Sequence, residues 1–113
     1  MKLPDADGAI VEREKIVDYL LNPTHRYGAT KARFFSAFGF RADKWETLAE
    51  ALLLHGQTQE VKRSRETSFG PRYEVEGRLR AVDGRAPRVR SVWQRDEGTV
   101  APRLITAYPL PDL

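Results

Sequence analysis

The C-terminal third of the chain, residues 73–108, carries the pattern that most restricts how this sequence can fold. In residues 73–81, apolar or small side chains alternate with charged ones. A two-residue period places successive side chains on opposite faces of a strand, and it is typical of an antiparallel strand with one buried face. Asp83-Gly84 follows, and hairpin turns need residues that tolerate positive φ, as these do. The segment therefore predicts a β-hairpin.

Three further segments are predicted to be strands, at about residues 59–67, 88–95 and 103–108. In the last of them, the alternation predicts that Leu104, Thr106 and Tyr108 share one face. Arg103 is expected on the opposite face. Short links between the segments favour pairing in chain order, so the sequence predicts a four-stranded antiparallel meander.

The first half of the chain predicts three helices, at about residues 12–21, 29–38 and 43–55. The third has the clearest pattern, because apolar side chains recur at i, i+3, i+4, i+7 and i+8 from Trp45. Asp43 and Glu46 are spaced like a capping box at its start, and Gly56 is expected to end it. Three N-terminal helices and a meander predict a two-layer α+β domain. We expect the helices on one sheet face and most arginines on the other, open face.

Length and composition limit the class of protein. The 113 residues predict a single domain over residues 1–113. The chain has no cysteine, which excludes disulfides, thiolate metal sites and a thiol nucleophile. No apolar run approaches the roughly 20 residues of a membrane-spanning helix, and the start of the chain does not have the features of a signal peptide. We therefore expect a cytoplasmic protein without membrane contact.

Basic residues are concentrated in the strand-forming half. Residues 1–59 contain eight Lys or Arg and eight Asp or Glu, whereas residues 60–113 contain eleven basic and eight acidic residues. Ten of those eleven basic residues are arginine, whose planar fork suits phosphate. The net charge of +3 is modest, however, and interleaved ion pairs on a solvated sheet face are the simpler interpretation.

Several segments resemble a family of small bacterial domains of unknown function. Members of that family share a helix followed by Leu-Asn-Pro-x-His-x-x-Gly-x-x-Lys-Ala, and a sheet that ends in Pro-Arg-Leu-x-Thr-x-Tyr. In this chain the first motif occupies residues 21–32 and the second occupies residues 102–108. The resemblance extends over almost the whole chain. It departs from the family at residues 26–27, where proline is common, and at residues 94–95, where apolar residues are usual.

The resemblance implies a fold and a biological context. Members occur alone or at the C-terminal end of longer proteins labelled as adhesins or polymorphic toxins. Their helices followed by a meander are similar to the fold of many small bacterial ribonuclease toxins. The partners that the resemblance implies are RNA and a small antitoxin or immunity-type protein.

His25 and Lys31 are the first candidates for catalysis. His25 lies in the loop before the second predicted helix, and imidazole acts as an acid or base near neutral pH. Lys31 lies near the start of that helix, where its charge adds to the positive end of the helix dipole. Together they could cleave RNA without a metal, by moving protons and by stabilising the charge that develops on phosphorus. The competing interpretation is that His25 braces its loop and that Lys31 is solvated.

A second group of candidates lies near the end of the predicted sheet. Thr106 and Tyr108 are candidates for catalysis, and Arg90 and Arg103 are candidates for binding phosphate, because hydroxyl groups beside guanidinium groups can hold that anion. The simpler interpretation is that Thr106 and Tyr108 pack under a helix and that the arginines are ordinary edge charges. His55, at the end of the third predicted helix, is expected to have a structural role there, where its charge would be favourable.

Two hypotheses about function are compatible with these residues. No metal site and no cofactor are predicted, because the two histidines are isolated and the chain has no Gly-rich phosphate loop or nucleophile elbow. The first hypothesis is a metal-independent ribonuclease-like toxin domain. It requires the His25 loop and the end of the last strand to meet at one positively charged cleft. The second is a non-catalytic module that binds a protein partner through the arginine-bearing sheet face.

Overall fold

Four consecutive strands form the sheet of the computed structural model, which describes residues 1–111. Each strand pairs antiparallel with the next one in the chain. The strands are β1 (Glu60–Thr67), β2 (Gly70–Arg78), β3 (Arg88–Gln94) and β4 (Arg103–Pro109). The predicted meander is confirmed, since strands joined by short links pair with their neighbours in the chain.

Three helical regions precede the sheet and make the fold α+β, as predicted. They are α1 (Arg13–Lys15), which continues into a π-helical segment (Ile16–Leu20), then α2 (Ala29–Ala37) and α3 (Trp45–Thr58). The π-helical segment is wider than an α-helix, and the Leu21 N–H closes its last turn by donating to the Ile16 carbonyl oxygen at 2.8 Å. Within residues 1–111, no helix is both long and apolar enough to cross a membrane.

A buried polar network joins α3 to β3. His55 Nδ1 lies 2.8 Å from Ser91 Oγ, and His55 Nε2 lies 3.0 Å from the Val89 carbonyl oxygen. Trp93 Nε1 donates to the same Ser91 oxygen at 2.8 Å. A carbonyl oxygen only accepts, so the His55 proton is on Nε2 and the Ser91 hydroxyl donates to Nδ1. His55 is therefore a neutral core residue rather than a charged helix end, and its burial lowers its pKa.

Both ends of α3 differ from the prediction. The helix continues past Gly56 to Thr58, since Gly56 does not take the positive φ of a terminating glycine. A Cβ at position 56 would lie 2.5 Å from the Trp93 ring. Gly56 is thus required for close packing and does not terminate the helix. Asp43 does not cap the helix either, since its carboxylate accepts two hydrogen bonds of 2.9 Å from Arg41.

The two faces of the sheet carry different residues. One face, here called the core face, carries buried side chains: Tyr73, Val75, Val89, Ser91, Trp93, Leu104 and Ala107. The other, here called the outer face, carries Arg72, Glu74, Glu76, Arg90, Val92, Gln94, Arg103, Thr106 and Tyr108. We expected the outer face to be open, but Val92 and Gln94 at its centre are only 7% and 1% exposed.

A bulge in β4 decides which of its side chains share a face. Thr106 pairs with Val92, whereas Leu104 pairs with Trp93, so β4 has one extra residue between two successive residues of β3. An extra residue reverses the alternation of faces. Leu104 therefore lies on the core face, and Arg103 lies with Thr106 on the outer face. The predicted arrangement, with Leu104 beside Thr106 and Arg103 opposite, is wrong for this reason.

Replacing Gly56 by alanine tests the packing of α3 on Trp93. The added methyl group would collide with the ring, and overpacking of this kind costs about 1–3 kcal/mol. Alanine is the better helix former by about 1 kcal/mol, so any loss reports the collision. We expect Gly56→Ala to lower the free energy of unfolding in urea. Gly8→Ala is the control, because its methyl group would meet another atom only at 3.7 Å. Equal effects of the two substitutions would contradict the packing argument.

The neutral, buried state of His55 predicts a pH-dependent stability. Its folded-state pKa is lowered, whereas the unfolded chain binds the proton with a pKa of about 6.5. As the pH falls below about 6.5, the unfolded state is therefore favoured, by up to about 1.4 kcal/mol per pH unit. Urea unfolding between about pH 7.5 and 5 should show this decline for the parent. His55→Gln should lose that component, and parallel declines for parent and variant would refute the assignment.

Candidate functional site

Tyr19 joins the loop that contains His25 to the last strand of the sheet. Its hydroxyl group shares a hydrogen bond of 2.8 Å with the Thr106 hydroxyl group. Its ring lies edge-on to the His25 imidazole, with the two ring centroids 4.9 Å apart. Two of the predicted catalytic residues, His25 and Thr106, thus contact the same tyrosine from different elements.

A third predicted catalytic residue, Lys31, also contacts Tyr19. Lys31 lies on α2. Its Nζ is 5.4 Å from the centroid of the Tyr19 ring and donates to the Tyr27 carbonyl oxygen at 3.1 Å. Lys15, on α1, brings a second ammonium group to 5.5 Å from the same centroid. Cations at this distance from an aromatic ring are attracted by it, so both charges are held beside the Tyr19 ring.

The loop geometry decides which proton His25 carries. Its Nδ1 accepts hydrogen bonds from the backbone N–H groups of Tyr27 and Gly28, at 3.0 and 2.9 Å. The Nδ1 lone pair is therefore occupied, and neutral His25 has its proton on Nε2. In this state Nε2 donates a hydrogen bond and cannot accept a proton. The imidazole thus both braces its loop and presents one N–H group.

Gly28 allows the loop to approach Tyr19. A Cβ at position 28 would collide with the Tyr19 backbone carbonyl group and its ring, so only glycine fits. The glycine of the first family motif therefore has a physical role, because it sets the distance between the His25 loop and the π-helical segment.

Tyr108 and Arg90 form a second group on the outer face. Arg90 Nη1 donates to the Tyr108 hydroxyl oxygen at 3.0 Å, and Arg90 Nη2 donates to Glu76 Oε2 at 2.6 Å. Glu74 lies 3.5 Å from Arg90 Nε. Tyr108 and Glu76 accept these hydrogen bonds, which favour the charged form and raise the pKa of Arg90. Arg90 therefore positions a hydroxyl and a carboxylate side by side, but its charge is already balanced.

Arg103 is held at the start of β4 by a carboxylate. Its Nε donates to Asp96 Oδ2 at 2.6 Å, and this contact lowers the pKa of Asp96. The structure brings His25, Lys31 and Thr106 to Tyr19, and it places Tyr108 two residues beyond Thr106 on the same face. Arg103 is not in contact with Tyr19 and has its own partner.

The depression next to His25 on the helical side does not suit a phosphate. It has a volume of about 310 Å³ and is lined by Lys15, Tyr19, His25 and three carboxylates, Glu12, Glu14 and Asp18. Its charge is negative on balance, so it would repel a phosphate group.

Sequence reasoning missed Tyr19 and Glu76. A regular 3.6-residue period does not single out Tyr19, because its direction depends on the wider π-helical turn. Glu76 belongs to an alternating strand, where its charge indicates only a solvated position. Its contact with Arg90 depends on the register of β2 and β3, which pairs the two residues. In residues 1–111, no three His, Cys, Asp or Glu side chains lie close enough together to hold a metal ion.

The fold is similar to a solved structure described as "Contact-dependent growth inhibition toxin - immunity protein complex from Klebsiella pneumoniae 342". The likeness has a TM-score of 0.73 at 19% sequence identity, and it covers 96% of this chain and 98% of that chain. At this identity it shows a shared fold. No curated protein sequence matches the chain. The model of the family described as "Domain of unknown function (DUF6883)" matches residues 2–111, and the chain belongs to that family.

Proposed function

We propose that this chain is a ribonuclease-like toxin domain, which cleaves RNA without a metal ion and is restrained by a small immunity-type protein. The observation that carries the proposal is the contact of Tyr19 with both His25 and Thr106. It supports the requirement that the His25 loop and the end of the sheet meet. The similar solved structure contains a toxin and its immunity protein, so the likeness alone fits either role. The grouping of cations, hydroxyl groups and a carboxylate favours the toxin.

Each group has a role in this proposal that follows from its hydrogen bonds. Cleavage begins when a base removes the proton of a ribose 2′-hydroxyl group, whose oxygen then attacks the phosphorus. His25 cannot be that base, because its Nε2 carries a proton. Glu76 is the base instead, since Arg90 holds its carboxylate beside Tyr108. The 2′-proton passes to Glu76, and a 2′,3′-cyclic phosphate forms.

The remaining groups stabilise the charge on the phosphate and release the product. The Lys31 ammonium group and the His25 Nε2–H, with the Thr106 hydroxyl group, donate to the phosphate oxygens as negative charge develops. Arg90 donates to the Tyr108 oxygen, which leaves the Tyr108 proton free to be given to the departing 5′-oxygen. Arg90 then stabilises the tyrosinate that remains. Arg103 binds a flanking phosphate only if that phosphate displaces Asp96.

A second candidate function is supported by the balance of charge on the outer face. Arg90 and Arg103 both have carboxylate partners, Glu76 and Asp96, and paired arginines suit a protein surface as well as an RNA site. A non-catalytic interaction module is the function that this observation favours. An interaction module would not cleave RNA, so an assay of RNA cleavage distinguishes the two candidate functions.

Incubation with total RNA in a metal chelator tests the proposal. We expect the parent to cleave RNA and to leave 2′,3′-cyclic phosphate ends. His25→Asn should lose at least about a hundredfold in rate, the lower end of the range for removing a positioned donor. Its amide oxygen can still accept the loop N–H groups, so the fold is retained. Lys31→Ala and Glu76→Gln should lose activity as well. Lys44→Ala, which removes an exposed lysine before α3, is the control. Absence of cleavage by the parent would favour the interaction module.

A double-mutant cycle tests the contact on which the site depends. Tyr19→Phe and Thr106→Val each remove one hydroxyl group of the 2.8 Å hydrogen bond and keep the shape of the side chain. We expect a coupling of about 0.5–1.5 kcal/mol in the free energy of unfolding. We also expect each single variant to cleave RNA more slowly. Additive effects on unfolding would show that the two residues do not interact.

A further inference from the structure

Two arginines of β1, Arg63 and Arg65, differ from Arg90 and Arg103 of the outer face in their partners. Arg90 is held by Glu76, and Arg103 is held by Asp96. Arg63 and Arg65 are exposed, and neither has an ion pair or a side-chain hydrogen bond within residues 1–111. Their charge is therefore available to a ligand.

The sheet register places a third guanidinium group beside them. Arg65 pairs with Arg72 across β1 and β2, and among residues 1–111 the Arg72 guanidinium group has one side-chain partner, the neutral amide oxygen of Gln94 at 3.0 Å. Like charges directly opposite in an antiparallel pair destabilise the sheet. An anion between the two groups would convert this repulsion into charge-assisted hydrogen bonds. Arg63 pairs with Glu74, so its side chain lies on the same face of the sheet, one cross-strand row away.

This group lies on the same face as the proposed cleavage site. Arg63 and Glu74 belong to the cross-strand row that ends at Thr106, and Arg65 belongs to the next row. Adjacent strands are about 4.8 Å apart, so β1 lies about 14 Å from β4. A strand of RNA that crosses the sheet from Thr106 toward β1 would place a phosphate further along the strand at the unpaired arginines.

We propose that Arg63, Arg65 and Arg72 form a phosphate subsite that binds single-stranded RNA beside the cleaved phosphodiester. The proposal rests on the proposed function for its substrate, and it differs from the expectation that Arg90 and Arg103 bind phosphate. Arginine suits this role because its planar fork donates two hydrogen bonds to one phosphate. The subsite supplies affinity without reading the bases, because backbone contacts carry no sequence information.

The salt dependence of RNA binding tests the subsite. The probe is a fluorescein-labelled 12-nucleotide 2′-O-methyl RNA, which has no 2′-hydroxyl group and cannot be cleaved. For single strands, each phosphate contact contributes about 0.7 to the slope of log K against log salt. Arg63→Gln combined with Arg65→Gln should therefore reduce the slope by about 1.4 and weaken binding. The matched control is Arg13→Gln combined with Arg33→Gln, which removes the same charge from exposed arginines on α1 and α2.

The outcomes distinguish the subsite from the cleavage activity. An unchanged slope in the β1 variant, or an equal reduction in the control, overturns the subsite even if the parent cleaves RNA. A reduced slope in the β1 variant alone supports the subsite, even if a parallel assay shows that the parent does not cleave RNA. Polyglutamate is the probe for an acidic protein partner. Polyglutamate and unlabelled RNA are compared as competitors at equal concentrations of negative charge. If polyglutamate displaces the labelled RNA more effectively, the surface is a protein-binding site and the RNA subsite is overturned.

Discussion

The hydrogen bond between Tyr19 and Thr106 joins two residues that are 87 positions apart in the chain, and the functional account depends on it. Each partner reaches this contact through an irregularity of the backbone. The π-helical turn positions Tyr19, and the bulge in β4 places Thr106 on the outer face. Both kinds of irregularity are frequent near functional sites, where they redirect a side chain. Their meeting at one contact is easier to explain by function than by packing, because regular elements would serve packing equally well.

On the outer face, Arg90 and Arg103 are paired with carboxylates of the protein, whereas Arg63, Arg65 and Arg72 have no such partner within residues 1–111. The net charge of the chain is only +3 because eight acidic residues accompany the eleven basic residues of the strand-forming half. The pairing gives the arginines different roles. Arg90 positions Glu76 and Tyr108, whereas the unpaired groups at β1 are where an anion would relieve repulsion. Catalysis and backbone binding would thus use different arginines of the same sheet face.

The sequence predicted those parts of the fold that depend on local patterns. The two-residue period and the Asp83-Gly84 turn identified the meander, and the apolar stripe from Trp45 identified α3. The errors arose where a long-range contact decides the role of a residue. Gly56 is needed because the Trp93 ring leaves no room for a Cβ, and the β4 bulge is defined only by its pairing with β3. The candidate site likewise combines features that local sequence patterns reveal with features that depend on long-range contacts. His25, Lys31 and Thr106 were chosen by residue type and motif, but the tautomer of His25 depends on loop N–H groups that the sequence does not reveal. Their catalytic role stays a prediction.

The central claim is that RNA is bound where Tyr19 joins the His25 loop to β4. Titration of the ¹⁵N-labelled domain with uncleavable 2′-O-methyl RNA, followed by amide chemical shifts, measures this most directly. We expect the largest shifts at Tyr27, Gly28 and Thr106, with smaller ones at Arg63 and Arg65. Shifts confined to the α3 surface, or no shifts at the His25 loop and β4 while RNA binds elsewhere, would contradict it.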